Sequence, residues 1–346
     1  MIRRIYIDNY KCFANFEIKL GGLPCSMIIG ANGVGKSTIA EVLGIFRDIV
    51  VDGKRPAESI PPLAVSQLKP AVTTPGIVTF ELEIGDGESV WLFRLTFTTM
   101  GTTLCETNLT VLMDGQIVQL GDEEGSLGTR ARALLMNVLV VKFQPTMASG
   151  KIGVEFNALK HDASNFADWF YGVIRSDLGA YAIFLEHMTG IIPGFSEADS
   201  ANDGRGGQML VVRIVIDGQT MTIPFELLSD GEKCQMLAGA LIAYNEIQPE
   251  VSVFWDEPDN FITTAEIAYL MPAMCHSFAR RGQFIATSHS REAIMTYGEN
   301  EILRMRRVTP LHNSAVRIDT IASMRALGVV NGCLDDALLS GEVLEK

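Results

Sequence analysis

Residues 30–37 combine glycines, a lysine and a serine at a spacing that suits phosphate chemistry. The segment reads GANGVGKS, an unbroken match to the pattern GxxxxGK[ST], and it lies between an apolar run and a helical pattern. Glycines let the backbone curl so that successive N–H groups point at phosphate oxygens, while Lys36 reaches the β- and γ-phosphates and the Ser37 hydroxyl takes a Mg²⁺ position. We therefore predict a P-loop that binds ATP and Mg²⁺ through Gly30, Asn32, Gly33, Gly35, Lys36, Ser37 and Thr38.

A second candidate site follows the apolar run 251–255, where two acidic residues stand side by side. Asp256 would hold Mg²⁺, directly or through water, and Glu257 would polarise the water that attacks the γ-phosphate. A strand that ends in a solvated acidic turn is the structural alternative. The presence of a P-loop in the same chain favours the catalytic interpretation.

The distance between these two motifs separates classes of P-loop protein. Lys36 and Asp256 lie 220 positions apart, far more than one βα unit requires, so much of the chain is inserted between their strands. The sequence LSDGE at 228–232 opens a predicted helix 27 residues before Asp256 and resembles the signature motif of ABC-type ATPases. Ser229 suits the N-cap of that helix, whose N-terminus carries partial positive charge. An ordinary capped helix explains the segment in isolation, but the order of the motifs favours nucleotide contacts by Ser229 and Gly231.

Three more assignments follow from the resemblance to ABC-type ATPases. His289 lies 32 residues after Glu257, where these proteins carry a histidine that contacts the γ-phosphate; a histidine after a strand is otherwise usually structural. Gln144, after the predicted strand 138–143, is a candidate for the glutamine that senses Mg²⁺ and the γ-phosphate. Asn9, Lys11 and Phe13 lie in the segment IDNYKCF, which is a candidate for contacts with the ribose, α-phosphate or base. Catalysis is thus assigned to Lys36, Glu257 and His289, and Mg²⁺ binding to Ser37, Asp256 and Gln144.

Taken together, the motifs resemble the RecF/SMC/OLD branch of ABC ATPases, and within it the OLD-like AAA family ATPases. The segments IDNYKCF, IIGANGVGKST, DASNFADWF, IIPGF, LSDGEK, WDEPDNFI and ATSHS occur in the order found there. The resemblance implies a homodimer or higher homo-oligomer in which Ser229 serves the nucleotide of the other subunit, so that ATP binding closes the dimer. OLD proteins carry a Toprim nuclease domain after the histidine. The 57 residues that follow His289 are too few for one, so nuclease activity is not expected.

The elements that must position these residues are those of an α/β fold. Helix and strand alternate after residue 229, which predicts a parallel core sheet. Further strands are predicted at 2–8, 15–20 and 26–29, and a helix at 36–50. We predict one P-loop NTPase domain of ABC-ATPase type over 1–346, with two insertions between the P-loop and the signature motif. These are an antiparallel β meander at 77–120 and a helical arm plus β hairpin at 157–225, within which the polar, glycine-rich stretch 196–207 is predicted to be a loop.

Composition narrows the choice of partner. The chain is 47% apolar and 20% charged, as in a soluble globular protein, and its net charge is −13. Proteins that bind nucleic acid through their overall field are usually basic, so the charge favours protein partners. Two arginine clusters, Arg280–Arg281 and Arg304–Arg306–Arg307, are predicted to be solvated faces rather than DNA sites. No apolar run approaches the roughly 20 residues of a membrane span, and the start lacks the apolar core of a signal peptide, which favours a cytoplasmic location.

Two functions remain open at this stage. By analogy with Septu- and retron-type defence ATPases, the chain is an ATP-gated sensor or scaffold that controls a separate effector, a nuclease or toxin encoded nearby. Alternatively it is a RecF-like repair ATPase that binds DNA as an ATP-closed dimer. The ATPase subunit of a transporter is disfavoured, because such subunits usually carry the signature LSGGQ and lack the insertions predicted here.

Overall fold

The computed structural model describes most of the chain, namely residues 1–60, 77–100, 103–120, 126–153, 158–248, 250–307 and 316–326. The end of the chain, on which the expectation of a missing nuclease domain rests, lies outside these ranges. The chain divides into two compact units. The first unit comprises Met1–Val138 and Ile285–Lys346, and the second unit comprises Leu139–Phe284. The organisation as one ABC-type domain therefore remains a prediction.

The described part of the chain alternates between strands and helices. The strands are β1 Ile2–Asp8, β2 Phe16–Lys19, β3 Cys25–Ile29, β4 Ile77–Gly85, β5 Val90–Met100, β6 Thr103–Met113, β7 Gln116–Val118, β8 Val138–Val141, β9 Lys151–Ile152, β10 Phe195–Asn202, β11 Gln208–Ile216, β12 Gln219–Pro224, β13 Ser252–Asp256, β14 Gln283–Ser288, β15 Ile302–Arg307 and β16 Val316–Thr320. The helices are α1 Lys36–Val50, α2 Pro56–Ser59, α3 Leu127–Met136, α4 Phe166–Trp169, α5 Leu178–Ile191, α6 Asp230–Ile247, α7 Thr264–Arg281, α8 Arg291–Met295 and α9 Ile321–Ala326. None of the described helices is long and apolar enough to cross a membrane.

An antiparallel sheet in the order β2-β1-β4-β5-β6-β7 forms much of the first unit. Its strands alternate buried and exposed residues because one face carries aromatic and aliphatic side chains. Phe80 lies at the centre of this face, with its ring edge-on to Tyr10 at 4.9 Å and to Phe97 at 5.4 Å between ring centroids. The strands β4 to β7 form the β meander that alternation predicted for 77–120.

The first unit also contains the strands that precede the P-loop and His289. β3 is buried at all five positions, and it pairs in parallel with β15, which pairs antiparallel with β16. β3 also neighbours β14, whose residues 285–288 belong to this unit. A strand buried on both faces reads as a continuous apolar run, which is why Ser26–Ile29 was recognisable from the sequence.

The second unit contains a sheet that corrects one prediction. The stretch 196–207 was predicted to be a loop, but β10 covers Phe195–Asn202 and pairs antiparallel with β11, which pairs in turn with β12 and β9. The polar residues of β10 are compensated by pairs with neighbouring elements, since Glu197 pairs with Arg213 and Asp199 with Arg175. Cross-strand pairs of this kind stabilise a strand of low β propensity, and they cannot be read from local composition.

The helices of the second unit pack around an aromatic cluster. α4 continues into a π-helical segment at 170–175, and α5 and α6 follow as two long helices. The rings of Phe166 and Phe225 lie 5.2 Å apart, and those of Phe170 and Phe184 lie 4.7 Å apart. This cluster joins the helical part of the insertion to the segment that leads into α6, so it supports the start of that helix.

On the polar face of the first unit's sheet, one arginine is shared by three carboxylates. Arg4 lies 2.5 Å from Glu81, 2.6 Å from Glu83 and 3.4 Å from Glu17, and its side chain is 18% exposed. Lys19 also pairs with Glu17, at 3.2 Å, but its side chain is 72% exposed. A partly buried hub of this kind holds three strands together, whereas an exposed pair contributes little.

Arg4→Met should therefore lower the free energy of unfolding by about 1–2 kcal/mol, because three carboxylates lose their shared cation. Lys19→Met is the matched control and should change it by less than about 0.5 kcal/mol. Urea denaturation of both variants measures the difference. Equal effects of the two substitutions would show that the hub contributes no more than an exposed pair.

Candidate nucleotide-binding site

Two positions of the loop between β3 and α1 have no room for a Cβ atom, so they require glycine. A Cβ atom at Gly30 would lie 2.6 Å from the carbonyl oxygen of Met305 on β15. A Cβ atom at Gly35, where φ is 115°, would lie 2.6 Å from Cζ of Phe13 and 2.7 Å from Sγ of Cys12. Real Cβ atoms do not approach other heavy atoms so closely, so the backbone can take this path only with glycine. The loop therefore has the tight, curled form that the sequence predicted.

The N-terminus of α1 is left without a side-chain cap. Its N-cap residue is Gly35, which has no side chain, and this helix has no side-chain cap hydrogen bond. The other described helices of ten residues or more are each capped by a side-chain oxygen, from Ser126, Asp177, Ser229 and Thr263. The first N–H groups of a helix need acceptors, and the helix dipole favours an anion there. The start of α1 is thus suited to a phosphate group.

The Lys36 side chain lies inside the curve of this loop. Its Nζ donates a hydrogen bond to the carbonyl oxygen of Gly30 at 2.8 Å, and the residue is only 5% exposed. Ser37 and Asn32 are exposed, whereas Thr38 is buried. An ammonium group on a glycine-rich loop that leads into a helix N-terminus supplies the kinds of donor that polyphosphates bind, so the residues present fit ATP.

Two residues that support the loop were missed by sequence reasoning. Arg307 donates a hydrogen bond from Nη2 to the carbonyl oxygen of Gly33 at 2.6 Å. Cys12 donates from Sγ to the carbonyl oxygen of Val34 at 3.5 Å, and burial raises the pKa of its thiol. Both contacts link segments that are distant in sequence, which is why no local pattern revealed them.

The arginine cluster at the end of β15 is therefore not a solvated face, and that prediction was wrong. Arg304 is 2% exposed, and burial lowers its pKa. Arg306 donates to the carboxylate of Asp319 on β16 at 2.8 Å, and Arg307 binds the P-loop. The sequence did contain one sign that these arginines do not form a solvated face, since they lie in a strand with apolar neighbours. The Arg280–Arg281 pair at the end of α7 is exposed, as predicted.

The Lys11 ammonium group forms an ion pair with a residue of α1. Its Nζ pairs with the carboxylate of Glu41, which also accepts a hydrogen bond from the Tyr10 hydroxyl at 2.6 Å. Asn9 donates to the carbonyl oxygen of Ile77 at 3.0 Å. These contacts fasten the N-terminal segment to α1 and β4, and burial raises the pKa of Tyr10. A role of Lys11 in binding the nucleotide remains a prediction.

His289 is exposed directly after β14, the strand that neighbours β3. The next residue, Ser290, caps α8 by accepting a hydrogen bond from the backbone N–H of Ala293 at 3.4 Å. The first unit therefore holds the P-loop and His289 after neighbouring strands. Contact of His289 with a phosphate remains a prediction.

In the second unit, β13 ends at a buried carboxylate. Asp256 is 5% exposed, and its Oδ2 lies 4.0 Å from Nζ of Lys142. Gln144 is exposed two residues further on, and its carbonyl oxygen accepts hydrogen bonds from Met147 and Ala148. Both carboxylate and amide oxygens are suitable ligands for Mg²⁺, so this unit brings two of the three predicted metal ligands into neighbouring segments.

Ser229 caps α6, as the sequence predicted. Its hydroxyl accepts a hydrogen bond from the backbone N–H of Glu232 at 3.2 Å and lies 2.7 Å from the Glu232 carboxylate, which in turn accepts from the N–H of Ser229 at 2.8 Å. This is a complete capping box. A Cβ atom at Gly231 would lie 3.3 Å from the carbonyl oxygen of Phe261. The start of α6 therefore lies against the segment that follows Glu257.

Glu257 has an unusual backbone conformation. Its φ is 54°, in the left-handed region, and the next residue is a proline, which disfavours helical conformations at the preceding residue. Asn260 donates from Nδ2 to Oε2 of Glu257 at 2.9 Å, and its backbone N–H donates to the Glu257 carbonyl oxygen at 3.3 Å. Strained residues of this kind are concentrated at functional sites. Asn260 was not singled out from the sequence.

The fold is similar to that of SMC head domains. An SMC head bound to the C-winged helix domain of ScpA aligns with a TM-score of 0.62 and 15% identity, over 93% of this chain and 98% of that chain. The SMC head domain from Thermotoga maritima gives 0.53 and 14%, over 92% and 98% of the two chains. A head with an extended coiled coil, bound to the C-terminal domain of ScpA derived from Pyrococcus furiosus, gives 0.58 and 15%, over 94% and 98%. The predicted fold, an α/β P-loop NTPase of ABC-ATPase type, is thereby confirmed.

The family is shown by sequence. Residues 25–295 match the family described as "AAA domain, putative AbiEii toxin, Type IV TA system", and the chain belongs to this family. The match spans all the predicted motifs from the P-loop to His289. Comparison with curated proteins gave no match. The narrower resemblance to OLD-like ATPases remains a prediction.

Two alanine substitutions should separate conformational strain from lack of space in the P-loop. Gly33 has φ of 75°, and no heavy atom lies within 4 Å of the position that a Cβ atom would take, so Gly33→Ala should cost only the strain of a left-handed residue, about 1–2 kcal/mol of unfolding free energy. Gly35→Ala adds a clash with Phe13 and Cys12 and should cost about 3 kcal/mol. Chemical denaturation measures both values. A Gly35→Ala variant as stable as Gly33→Ala would contradict the close packing of the N-terminal segment on this loop.

Proposed function

We propose that this protein binds and hydrolyses ATP with Mg²⁺, and that ATP-dependent pairing of two copies controls a separate protein effector. The observation that carries the ATPase part is the start of α1, which has no side-chain cap and follows a glycine loop with a buried lysine. A helix N-terminus of this kind, with Lys36 beside it, is complementary to a bound triphosphate. Membership of an AAA family supports the same conclusion.

In this proposal, different residues bind the phosphates, hold Mg²⁺ and position the attacking water. Lys36 would neutralise the β- and γ-phosphates, Ser37, Asp256 and Gln144 would hold Mg²⁺, and Glu257 would orient and polarise the attacking water. Bound Mg²⁺ would supply charge neutralisation at the β- and γ-phosphate oxygens. His289 is exposed, and we propose that it contacts the γ-phosphate. Because phosphoryl transfer depends on positioning and electrostatics, no covalent intermediate on the protein is required.

Pairing of two copies is supported by the surface around Ser229. Leu227, two residues before it, is 75% exposed, and Met147 and Phe261 are 55% and 38% exposed. The segments that carry these residues lie together in the second unit, since Gly150 donates a hydrogen bond to the carboxylate of Glu226 at 2.9 Å and Phe261 lies against Gly231. Exposed apolar side chains beside a polar recognition group are typical of an interface. We propose that Ser229 and Gly231 contact the nucleotide of the second copy there.

A protein effector is favoured over DNA by the charge of the chain. The net charge is −13, and the three arginines at the end of β15 are buried or bound to other groups of this protein. Two of the similar SMC heads were solved with a ScpA domain bound, which supports a protein as the partner. We propose that this partner is a nuclease or toxin with a role in defence.

Substitutions at Lys36 and Glu257 should separate binding from hydrolysis. Lys36→Ala should abolish ATP binding, because the phosphates lose their ammonium partner. Glu257→Gln should retain ATP affinity and lower the hydrolysis rate by at least about 100-fold, since an amide cannot take a proton from water. Equilibrium binding of a fluorescent ATP analogue and phosphate release measure the two steps. Hydrolysis by Glu257→Gln at the wild-type rate would show that Glu257 is not the base.

The same variants test pairing. Glu257→Gln with ATP should elute as a dimer, because ATP stays bound between two copies, while the double variant Lys36→Ala/Glu257→Gln should remain in its ATP-free state. Light scattering after size-exclusion chromatography gives the masses. Co-expression with the products of neighbouring genes then tests the effector. Failure of every neighbour to co-purify, together with ATP-dependent and salt-sensitive DNA binding, would overturn the effector proposal in favour of a RecF-like function.

A further inference from the structure

We infer that Asn260 is a positioning residue for Glu257, which it holds in the orientation needed for hydrolysis. The inference rests on the proposed ATPase function and adds a residue that none of the sequence motifs assigned a role. The Asn260 side chain is exposed, and its amide group donates from Nδ2 to Oε2 of Glu257 at 2.9 Å. One oxygen of the proposed base therefore has a fixed donor on the same turn.

A backbone hydrogen bond between the same two residues, Glu257 and Asn260, also stabilises this turn. The N–H of Asn260 donates to the carbonyl oxygen of Glu257 at 3.3 Å, which closes a four-residue turn over Glu257-Pro258-Asp259-Asn260. Glu257 has φ of 54° immediately before a proline, a conformation that costs free energy and persists only where contacts enforce it. Asn260 supplies two such contacts, one to the main chain and one to the side chain of Glu257.

Neighbouring elements fix the remainder of the turn. Cys234 of α6 donates from Sγ to the carbonyl oxygen of Pro258 at 3.6 Å. The carbonyl oxygen of Phe261 lies against Gly231 at the start of α6, and its ring meets that of Phe143 edge-on at 6.4 Å. With the backbone held by these contacts, the orientation of the Glu257 carboxylate depends on what its oxygens bind. The Asn260 amide is the donor that the turn itself provides.

The contact is more specific than the usual role of asparagine in turns. Asparagine commonly stabilises a turn by bonding its side chain to nearby backbone groups, a role that aspartate fills equally well. Here the side-chain amide bonds to a carboxylate, which only a donor can do. Aspartate at position 260 would keep the shape of the turn, remove the donor, and place a like charge beside Glu257. The pair of variants at this position therefore distinguishes positioning of Glu257 from simple formation of the turn.

Asn260→Asp should lower kcat for ATP hydrolysis about tenfold or more, and Asn260→Ala about fivefold, because a hydrogen bond to a charged group is lost and, in the first case, replaced by repulsion. KM and the dissociation constant for ATP should stay within about twofold, since the contact concerns the group that acts during hydrolysis rather than during binding. Asn108→Asp, at an exposed position on β6, is the matched control and should leave both constants unchanged.

A double-mutant cycle completes the test. In single-turnover experiments, Glu257→Gln/Asn260→Ala should hydrolyse ATP at the same rate as Glu257→Gln alone, because Asn260 acts only through the Glu257 carboxylate. Additive losses, or a rise in KM with unchanged kcat, would show a structural role and overturn the inference. So would wild-type kcat in both Asn260 variants while Glu257→Gln is slow, an outcome that leaves the ATPase proposal standing. If Glu257→Gln is itself as fast as wild type, the assignment of the base fails instead.

Discussion

The close packing of other segments against the backbone of residues 30–35 is the constraint on which the site depends. Gly30 lies against the carbonyl oxygen of Met305, and Gly35 lies against Phe13 and Cys12, at distances that leave no room for a Cβ atom. β15 and the N-terminal segment thereby determine the path of the loop. The start of α1 is held in place and has no side-chain cap. Rigid support of this kind is what gives a phosphate site its affinity, because little order must be gained on binding.

Polar contacts from distant segments complete this support. Arg307 binds the carbonyl oxygen of Gly33, and the pair Tyr10 and Lys11 binds Glu41 in the second turn of α1. These contacts engage the side chains of Arg307, Tyr10 and Lys11, each of which is polar enough to bind a nucleotide. The cations nearest the loop are thus divided between Lys36, which is suited to the phosphates, and residues that shape the protein around it.

The motifs of the candidate site were predictable because each is short and its chemistry is local. Gly30–Ser37 and the capped helix at Ser229 need only a few consecutive residues, and the parallel strand β3 is a plain apolar run. The errors arose where stability comes from residues far apart. β10 was predicted to be a loop because its charges find partners only across the sheet and on a neighbouring helix. Arg304 was predicted to be solvated because the cluster of charges was given more weight than the apolar strand that contains it, and its contact with Met324 on α9 joins residues 20 positions apart.

The capping box at the start of α6 has a consequence for kinetics. The Ser229 hydroxyl has one hydrogen, and the Glu232 carboxylate lies 2.7 Å away to receive it. A phosphate oxygen that accepts the hydrogen of the Ser229 hydroxyl must displace this carboxylate. Because one hydrogen bond then replaces another, the net gain in binding free energy is small. The negative charge of Glu232 must also move aside or be screened. In the proposed pair of subunits, a contact formed by exchange would be readily reversed, which suits an interface that opens after each turnover rather than one that persists.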